Sequence, residues 1–588
     1  MSSYSITSQL TLWGLLMFAN SVGAAAGPYE VLPPACAWHG KSEQLIAPAG
    51  ERWITPAEKT NFTVSPDYAK TVAWLRAVER ASPLISMHGF GKSYQGRELY
   101  YVSAKKPGKG KPVVLVQAGI HAGEIDGKDA GLMLLRDIAF RGRDDLLDHV
   151  DLVFIPILNV DGHENASPNG RPHQHGPQLK GARTNAQGLD LNRDYARLQS
   201  PEIAAVVKLL KTFDPALYID VHVSDGIDYQ YDVTYTYAGW GTYARSRATA
   251  DWLLNTYHGE VESALTAQGH TPAMYPSWID EESPEKGLRI SAEGPRYSTG
   301  YGDFTGIPTV LVENHAMKPY MRRVLGTYVL LEQSLKTVAR EHQRIASAKA
   351  QDRSAQPDQL LVRWERASTP LKVVDFKGYR YDTYWSPVTG VAERRWTGEA
   401  QTFGLPVFGV NPVLSLTLPR AWWLRPEQQE LMVALRRHGV RFDTLAQART
   451  LELEVTHMAS AALQERAGAQ RVRKTVTLPA GAVRIGADQP FHLLAAALLE
   501  ADSDDSFLAN GYFGPALPPE SRLARHLLAP LAERLQASDA TLRAQFEQAL
   551  AQDAALAADP RARLQWWLAR TPYADRARWT YPVMRELP

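Results

Sequence analysis

Cysteine is almost absent: Cys36 stands alone in 588 residues. No disulfide can close within the chain, and no cysteine-rich zinc finger or iron–sulfur site can form. Any metal must rest on histidine and carboxylate. Excess charge of one sign is missing as well. Lys and Arg number 64 against 63 Asp and Glu, a formal net charge of +1. Nucleic-acid binders and polybasic membrane binders carry a strongly positive footprint, so no nucleic-acid partner is expected. Long apolar runs are scarce. The run at 10–19 (LTLWGLLMFA) is too short to span a bilayer comfortably, and no later stretch approaches about 18 uninterrupted apolar residues. Stable membrane insertion is therefore not expected.

The early apolar run has a different reading. Small residues follow it, and Ala24-Ala25-Ala26 offers an A-x-A cleavage site, so residues 1–26 are expected to be a signal peptide. No Lys or Arg precedes the run, which departs from the usual pattern. The expected location is periplasmic or secreted. Cys36, in LPPAC, reads as a buried free thiol.

Beyond the signal, 45% hydrophobic and 22% charged residues describe a globular chain. Residues 66–82 carry Ala69, Val72, Leu75 and Val78 at helical spacing. Strand patterns at 112–120, 152–158, 216–223 and 307–312 alternate with helical stretches at 125–139, 201–213 and 321–346. Pro156 sits awkwardly inside the second strand. The alternation predicts an α/β fold, a mixed central sheet with helices on both faces. Residues 347–359 read as a helix end running into a linker. Past it, β-type patterning dominates, with a helix near 426–438 and an Ala-, Leu- and Arg-rich helical tail at 518–559. The expected layout is a lead at 27–55, a catalytic domain at 56–346, a linker at 347–359, and a C-terminal region at 360–588. That region is β-rich over 360–490 and helical over 491–588. Its Trp422-Trp423 and Trp566-Trp567 pairs are read as core. Its acidic run Asp502, Asp504 and Asp505 is read as a solvated turn without calcium-loop spacing.

The chemistry concentrates earlier. His121 and Glu124 follow a predicted strand and open a predicted helix, three residues apart, so both side chains can face one point. A chain with 16 histidines should hold roughly one such H-x-x-E by accident. His222, ending the strand ALYIDVHV, and Glu313, ending IPTVLVE, raise the odds, because sites in open α/β sheets form outside the carboxyl ends of strands. Two imidazoles and one carboxylate leave a zinc ion a free coordination position and a net positive charge. Glu313 would then be the proton acceptor that is not a ligand. The polar stretch 181–195 offers Asn192 and Arg193 as a carboxylate clamp, Arg183 to stabilise negative charge on a carbonyl oxygen, and Asp190 to support a metal-bound histidine.

Together these residues resemble the zinc metallocarboxypeptidase family, peptidase family M14, over roughly residues 67–346. G-x-S-x-x-G-R is matched at 91–97, H-x-x-E at His121 and Glu124, and D-x-N-R at Asp190 to Arg193. Asn159-Val160-Asp161-Gly162 resembles the N-P-D-G turn, with Val160 where proline is usual. The resemblance implies one Zn2+ per chain on His121, Glu124 and His222, with Glu313 activating water as general base and then serving as general acid. It implies Arg193 with Asn192 holding the free carboxylate of a peptide or peptide-like substrate, and Arg183 as the transition-state electrophile. A mobile tyrosine is implied too, for which Tyr297 and Tyr301 are both candidates. The implied activity is release of C-terminal residues. The alternative is a zinc amidase or deacylase acting on peptidoglycan peptides or N-acyl amino acids. A binding module without catalysis is the third reading, and the presence of all three ligands with Glu313 speaks against it.

Overall fold

The structure is a computed structural model that describes residues 32, 37–458, 470–513, 525–571 and 579–588. The expected signal peptide and Cys36 lie outside them. Among the described residues no helix is long and apolar enough to cross a membrane.

Nine strands precede the long helix Tyr320–Ser354 among the described residues: β1 (Ile85–Lys92), β2 (Glu98–Ala104), β3 (Val113–Ala118), β4 (Asp151–Ile155), β5 (Leu217–Val223), β6 (Val233–Thr236), β7 (Pro272–Met274), β8 (Leu288–Arg289) and β9 (Thr309–Asn314). All but β8 form one mixed sheet in the order β1-β2-β4-β3-β5-β9-β6-β7. Its middle is parallel: β3 pairs with β4 and β5, and β5 with β9. β5 (LYIDVHV) is buried along its whole length, and β3 (VVLVQA) along all but its first residue. Continuous apolar runs rich in branched residues suit interior parallel strands covered on both faces. β4 stops at Ile155, one residue before Pro156, which has no N–H to give the ladder. The expected strand to residue 158 is therefore shorter.

One face packs Val114, Val116, Val221, Val310 and Val312 against the helices Tyr68–Ala81, Asp126–Phe140 and Tyr320–Ser354. The other packs Leu115, Val153 and Tyr218 against Val206 and Leu210 of helix Pro201–Phe213. Two of these helices have firm starts: Asp67 accepts the Lys70 N–H, and Ser200 accepts the Ile203 N–H ahead of Pro201. The second face continues into Trp422, Leu431 and Leu494 of the C-terminal region. Fully buried side chains of this size contribute about 2 kcal/mol each, so the C-terminal region shares a core with the sheet.

The helix Tyr320–Ser354 runs eight residues past the expected end at 346, leaving only 355–358 before the next strand. A long hairpin, β10 (Gln359–Trp385) and β11 (Ala392–Thr417), pairs with β8. Six further strands follow: β12 (Ala421–Leu424), β13 (Asp443–Thr444), β14 (Arg449–Met458), β15 (Gln470–Leu478), β16 (Val483–Gly486) and β17 (Trp579–Glu586). They form a sheet in the order β13-β16-β12-β17-β14-β15. The helical tail is thus followed by a strand that inserts between β12 and β14. Trp422 and Trp423 are buried, each indole N–H donating to a carboxylate, Glu500 and Glu586 respectively. The acidic run is no solvated turn: Asp502 and Asp505 are buried, Asp502 on Arg471 and Asp505 on Arg296.

Candidate metal centre

The parallel strands β3, β5 and β9 end on one rim, and the predicted site residues converge there. His121 and Glu124 lie in a turn closed by the Glu124 N–H on the His121 carbonyl, 2.9 Å. This turn follows β3 and ends before helix Asp126–Phe140. The pair was expected to open that helix; it precedes it instead, because the positive φ of Gly119 turns the chain away from the strand at once. His222 and Glu313 sit opposite each other in the register of β5 and β9. One ligand atom each from His121, Glu124 and His222 lies within 4.8 Å of the other two, and all three residues are buried.

Carboxylates behind the imidazoles fix which ring nitrogen faces the centre. His121 donates Nε2–H to Asp190 Oδ1 at 3.0 Å, and His222 donates Nε2–H to Asp220 Oδ2 at 2.9 Å. Their Nδ1 atoms therefore turn toward Glu124, at 3.1 and 3.0 Å. Asp220 is held in turn by the Gln117 amide of β3 at 2.8 Å. Burial would raise the Asp190 carboxyl, but the hydrogen bond and charge of His121 and the charges of Arg183 and Arg193 hold it well below the usual range. Two imidazole lone pairs and a carboxylate oxygen within this compass suit a tetrahedral zinc site with one position left open.

Glu313 keeps one buried oxygen, Oε2, without a hydrogen-bond partner. Burial pushes its carboxyl up to about 8, opposed by the charge of His222 and reinforced by the carboxylates of Glu124 and Asp225. The unpartnered oxygen belongs to a side chain that lines the same cavity as the three ligand residues.

A cavity of about 690 Å³ opens beside the centre, lined by His121, Glu124, His222 and Glu313 with Arg183, Asn192, Arg193 and Tyr297. Arg183 donates to Asp190 at 3.0 and 3.2 Å and comes within 3.7 Å of Glu124. The Asn192 side-chain oxygen accepts the Ser298 N–H at 2.9 Å. The Arg193 guanidinium lies 4.7 Å from the centroid of the Tyr297 ring. Tyr301 is elsewhere. It is buried outside the cavity with its hydroxyl 3.2 Å from His438 Nδ1. Helix Ser298–Thr305 begins after Tyr297, whose extended backbone presents it to the cavity, while Tyr301, on the helix, faces the core.

Two groups at the site carry no motif signal. Arg171, buried in the loop after Gly170, reaches Glu124 Oε1 at 2.8 Å and Asp225 at 2.5 Å. Nothing local in 169–176 announces that reach. Asp220 could have been read from the strand, since residues i and i+2 share a face. The opening motif proves to be scaffolding. Ser93, Arg97 and the Gln95 N–H all bind the buried carboxylate of Asp161 from the Asn159–Gly162 turn, at 2.8, 2.6 and 2.9 Å.

Residues 71–278 match the sequence profile described as zinc carboxypeptidase. His121, Glu124 and His222 fall inside the match, and Glu313 lies beyond it. Carboxypeptidase D of Drosophila melanogaster is 30% identical over 191 residues, 29% of this chain and 13% of that protein. Carboxypeptidase B of Astacus astacus is 27% identical over 139 residues, 23% of this chain and 46% of the relative. Carboxypeptidase 2 of Trichophyton rubrum is 21% identical over 480 residues, covering 74% of this chain and 82% of the relative. The chain thus spans less than half the length of the first two. The matched segment, which holds all three ligand residues in their strand context, is similar to zinc carboxypeptidases.

Proposed function

We propose that the protein is a zinc-dependent carboxypeptidase that releases C-terminal residues from peptides with a free carboxylate. The observation that carries this reading is the shared cavity: two Nδ1 atoms and Glu124 gather at one wall with Glu313, and Arg193, Asn192 and Tyr297 line the same space. Zinc on His121, Glu124 and His222 would polarise the scissile carbonyl and acidify water. Glu313 takes a proton from the attacking water as its oxygen bonds to the carbonyl carbon. It returns that proton to the amine as the C–N bond breaks. Arg183 donates to the carbonyl oxygen as negative charge grows there. Arg193, a planar fork beside Asn192, takes the terminal carboxylate.

The test is a mixed library of C-terminally free and C-terminally amidated peptides, incubated with zinc-loaded protein and read by mass spectrometry. Stepwise loss from free ends, with amidated peptides intact, is the expected result. Equal cleavage of both sets would instead favour the amidase reading.

A further inference from the structure

Two loops meet where the substrate carboxylate is assigned: 190–198, with Asn192 and Arg193, and 293–301, with Tyr297 against Arg193. They are tied to each other. The Ser298 N–H donates to Asn192, and the Tyr195 N–H donates to the Arg296 carbonyl at 3.3 Å. Arg193 lies over Tyr297. Both loops are also fastened to the C-terminal region, at three places. Arg296 donates Nε–H to Asp505 Oδ1 and Nη2–H to the Asp504 carbonyl, both at 2.7 Å. His438 donates Nε2–H to the Ala196 carbonyl and accepts the Tyr301 hydroxyl at Nδ1, both at 3.2 Å. The Tyr512 hydroxyl donates to the Arg197 carbonyl at 3.1 Å.

The first fastening is the one nearest the chemistry. Arg296 is the immediate chain neighbour of Tyr297, and Arg296, Asp504 and Asp505 all line the catalytic cavity. The Asp505 side chain is 6% exposed. Gly294 makes room for it: a Cβ at that position would lie 2.0 Å from Asp505 Oδ2. A glycine is thus needed for the 293–298 segment to press this closely on the acid.

We propose that Asp505 is a positioning residue: through Arg296 it holds Tyr297 over Arg193, so that the C-terminal region helps build the pocket for the substrate carboxylate. The proposal rests on the carboxypeptidase reading above. Without the Asp505 carboxylate, Arg296 loses its charged partner and Tyr297 loses a fixed backbone. The ring then no longer holds the Arg193 guanidinium in place from one face, and the guanidinium–carboxylate contact weakens. Glu313 and the ligand turn are untouched, so the effect falls on binding rather than on the chemical step.

The experiment is steady-state kinetics of full-length, zinc-loaded protein on one C-terminally free peptide cleaved by the wild type. Asp505→Asn is expected to raise KM about tenfold, about 1.4 kcal/mol, with kcat within about threefold. Asp505→Glu is expected to recover part of the loss. In a Tyr297→Ala background the same Asn substitution should change KM little, because the residue through which it acts is gone. Gly294→Ala, which drives a methyl into Asp505, serves as the second variant if Asp505→Asn does not fold, and the same KM rise is expected. An unchanged KM in the variant tested, or an equal KM penalty with and without the Tyr297 ring, overturns the proposal while the carboxypeptidase reading stands. A zinc-loaded wild type that cleaves no free-carboxylate peptide overturns both.

Discussion

Asp190→Asn tests how far the centre depends on the groups behind its ligands. The carboxylate accepts Nε2–H of His121, two guanidinium N–H groups of Arg183 and the Asn192 N–H. It therefore fixes the His121 ring with Nδ1 toward Glu124 and sets the turn that carries Asn192 and Arg193. An asparagine of the same shape can still accept a hydrogen bond, but it has no charge to raise the basicity of the imidazole, and its NH2 cannot accept from Arg183. Replacing such outer partners typically costs 10–100-fold in metal affinity, about 1.4–2.7 kcal/mol. The assay is competition for zinc against a chelator of known affinity, with melting temperature recorded on the same samples. The expected outcome is a weakening in that range with folding retained. Unchanged zinc affinity in a folded Asp190→Asn variant would show that the His121–Asp190 bond does not set the ligand, and the reasoning from tautomer to affinity would fail.

Zinc binding at pH 7 should release protons, and the Glu313→Gln variant should release nearly one fewer, because Glu313 is pushed up to about 8 in the metal-free protein and a cation beside it favours its ionised form. Calorimetry in buffers of differing ionisation enthalpy measures the difference, which should vanish above about pH 9.5, where the carboxyl is already ionised. Equal release by both proteins at pH 7 would remove Glu313 from the centre. Acid stability gives a test away from the site. Burial would raise the carboxyl of Asp232, but the hydrogen bond and charge of His270 and the charge of Arg322 hold it down to about 2. A depressed carboxyl stabilises the fold above its unfolded value and ceases to do so as pH falls through its folded one. Asp232 thus contributes about 2 kcal/mol above roughly pH 4, lost toward pH 2. Asp232→Asn should melt at a lower temperature at pH 7, with the gap to wild type closing in acid; a gap that stays constant from pH 7 to 2 contradicts the assignment.

The sequence made the interior of the sheet legible for a physical reason. β3 and β5 are apolar and branched because both their faces are covered, and the polar residues that interrupt or end them, Gln117, Asp220 and His222, are conspicuous against that run. His222 and Glu313 were readable as site candidates because strand ends are where an α/β sheet exposes side chains. The tyrosines were not separable. Tyr297 and Tyr301 are four residues apart, and only the helix start at Ser298 sends one to the cavity and the other to the core. Arg171 and Asp505 were unreadable for a different reason. Arg171 lies 47 residues from Glu124 in the chain, and Asp505 lies 209 residues from Arg296. No local periodicity encodes such meetings. The acidic run read as solvated for the same cause, since its cationic partners Arg296 and Arg471 belong to other elements.

The central claim is that Glu313 moves the proton at a centre held by His121, Glu124 and His222. The most direct measurement is single-turnover hydrolysis of a C-terminally free peptide by Glu313→Gln, with zinc content determined on the same preparation. The account predicts one zinc per chain and a rate lower than wild type by about 10²–10⁴-fold, the usual contribution of a general base. A variant that keeps its zinc and hydrolyses the peptide at the wild-type rate would contradict it.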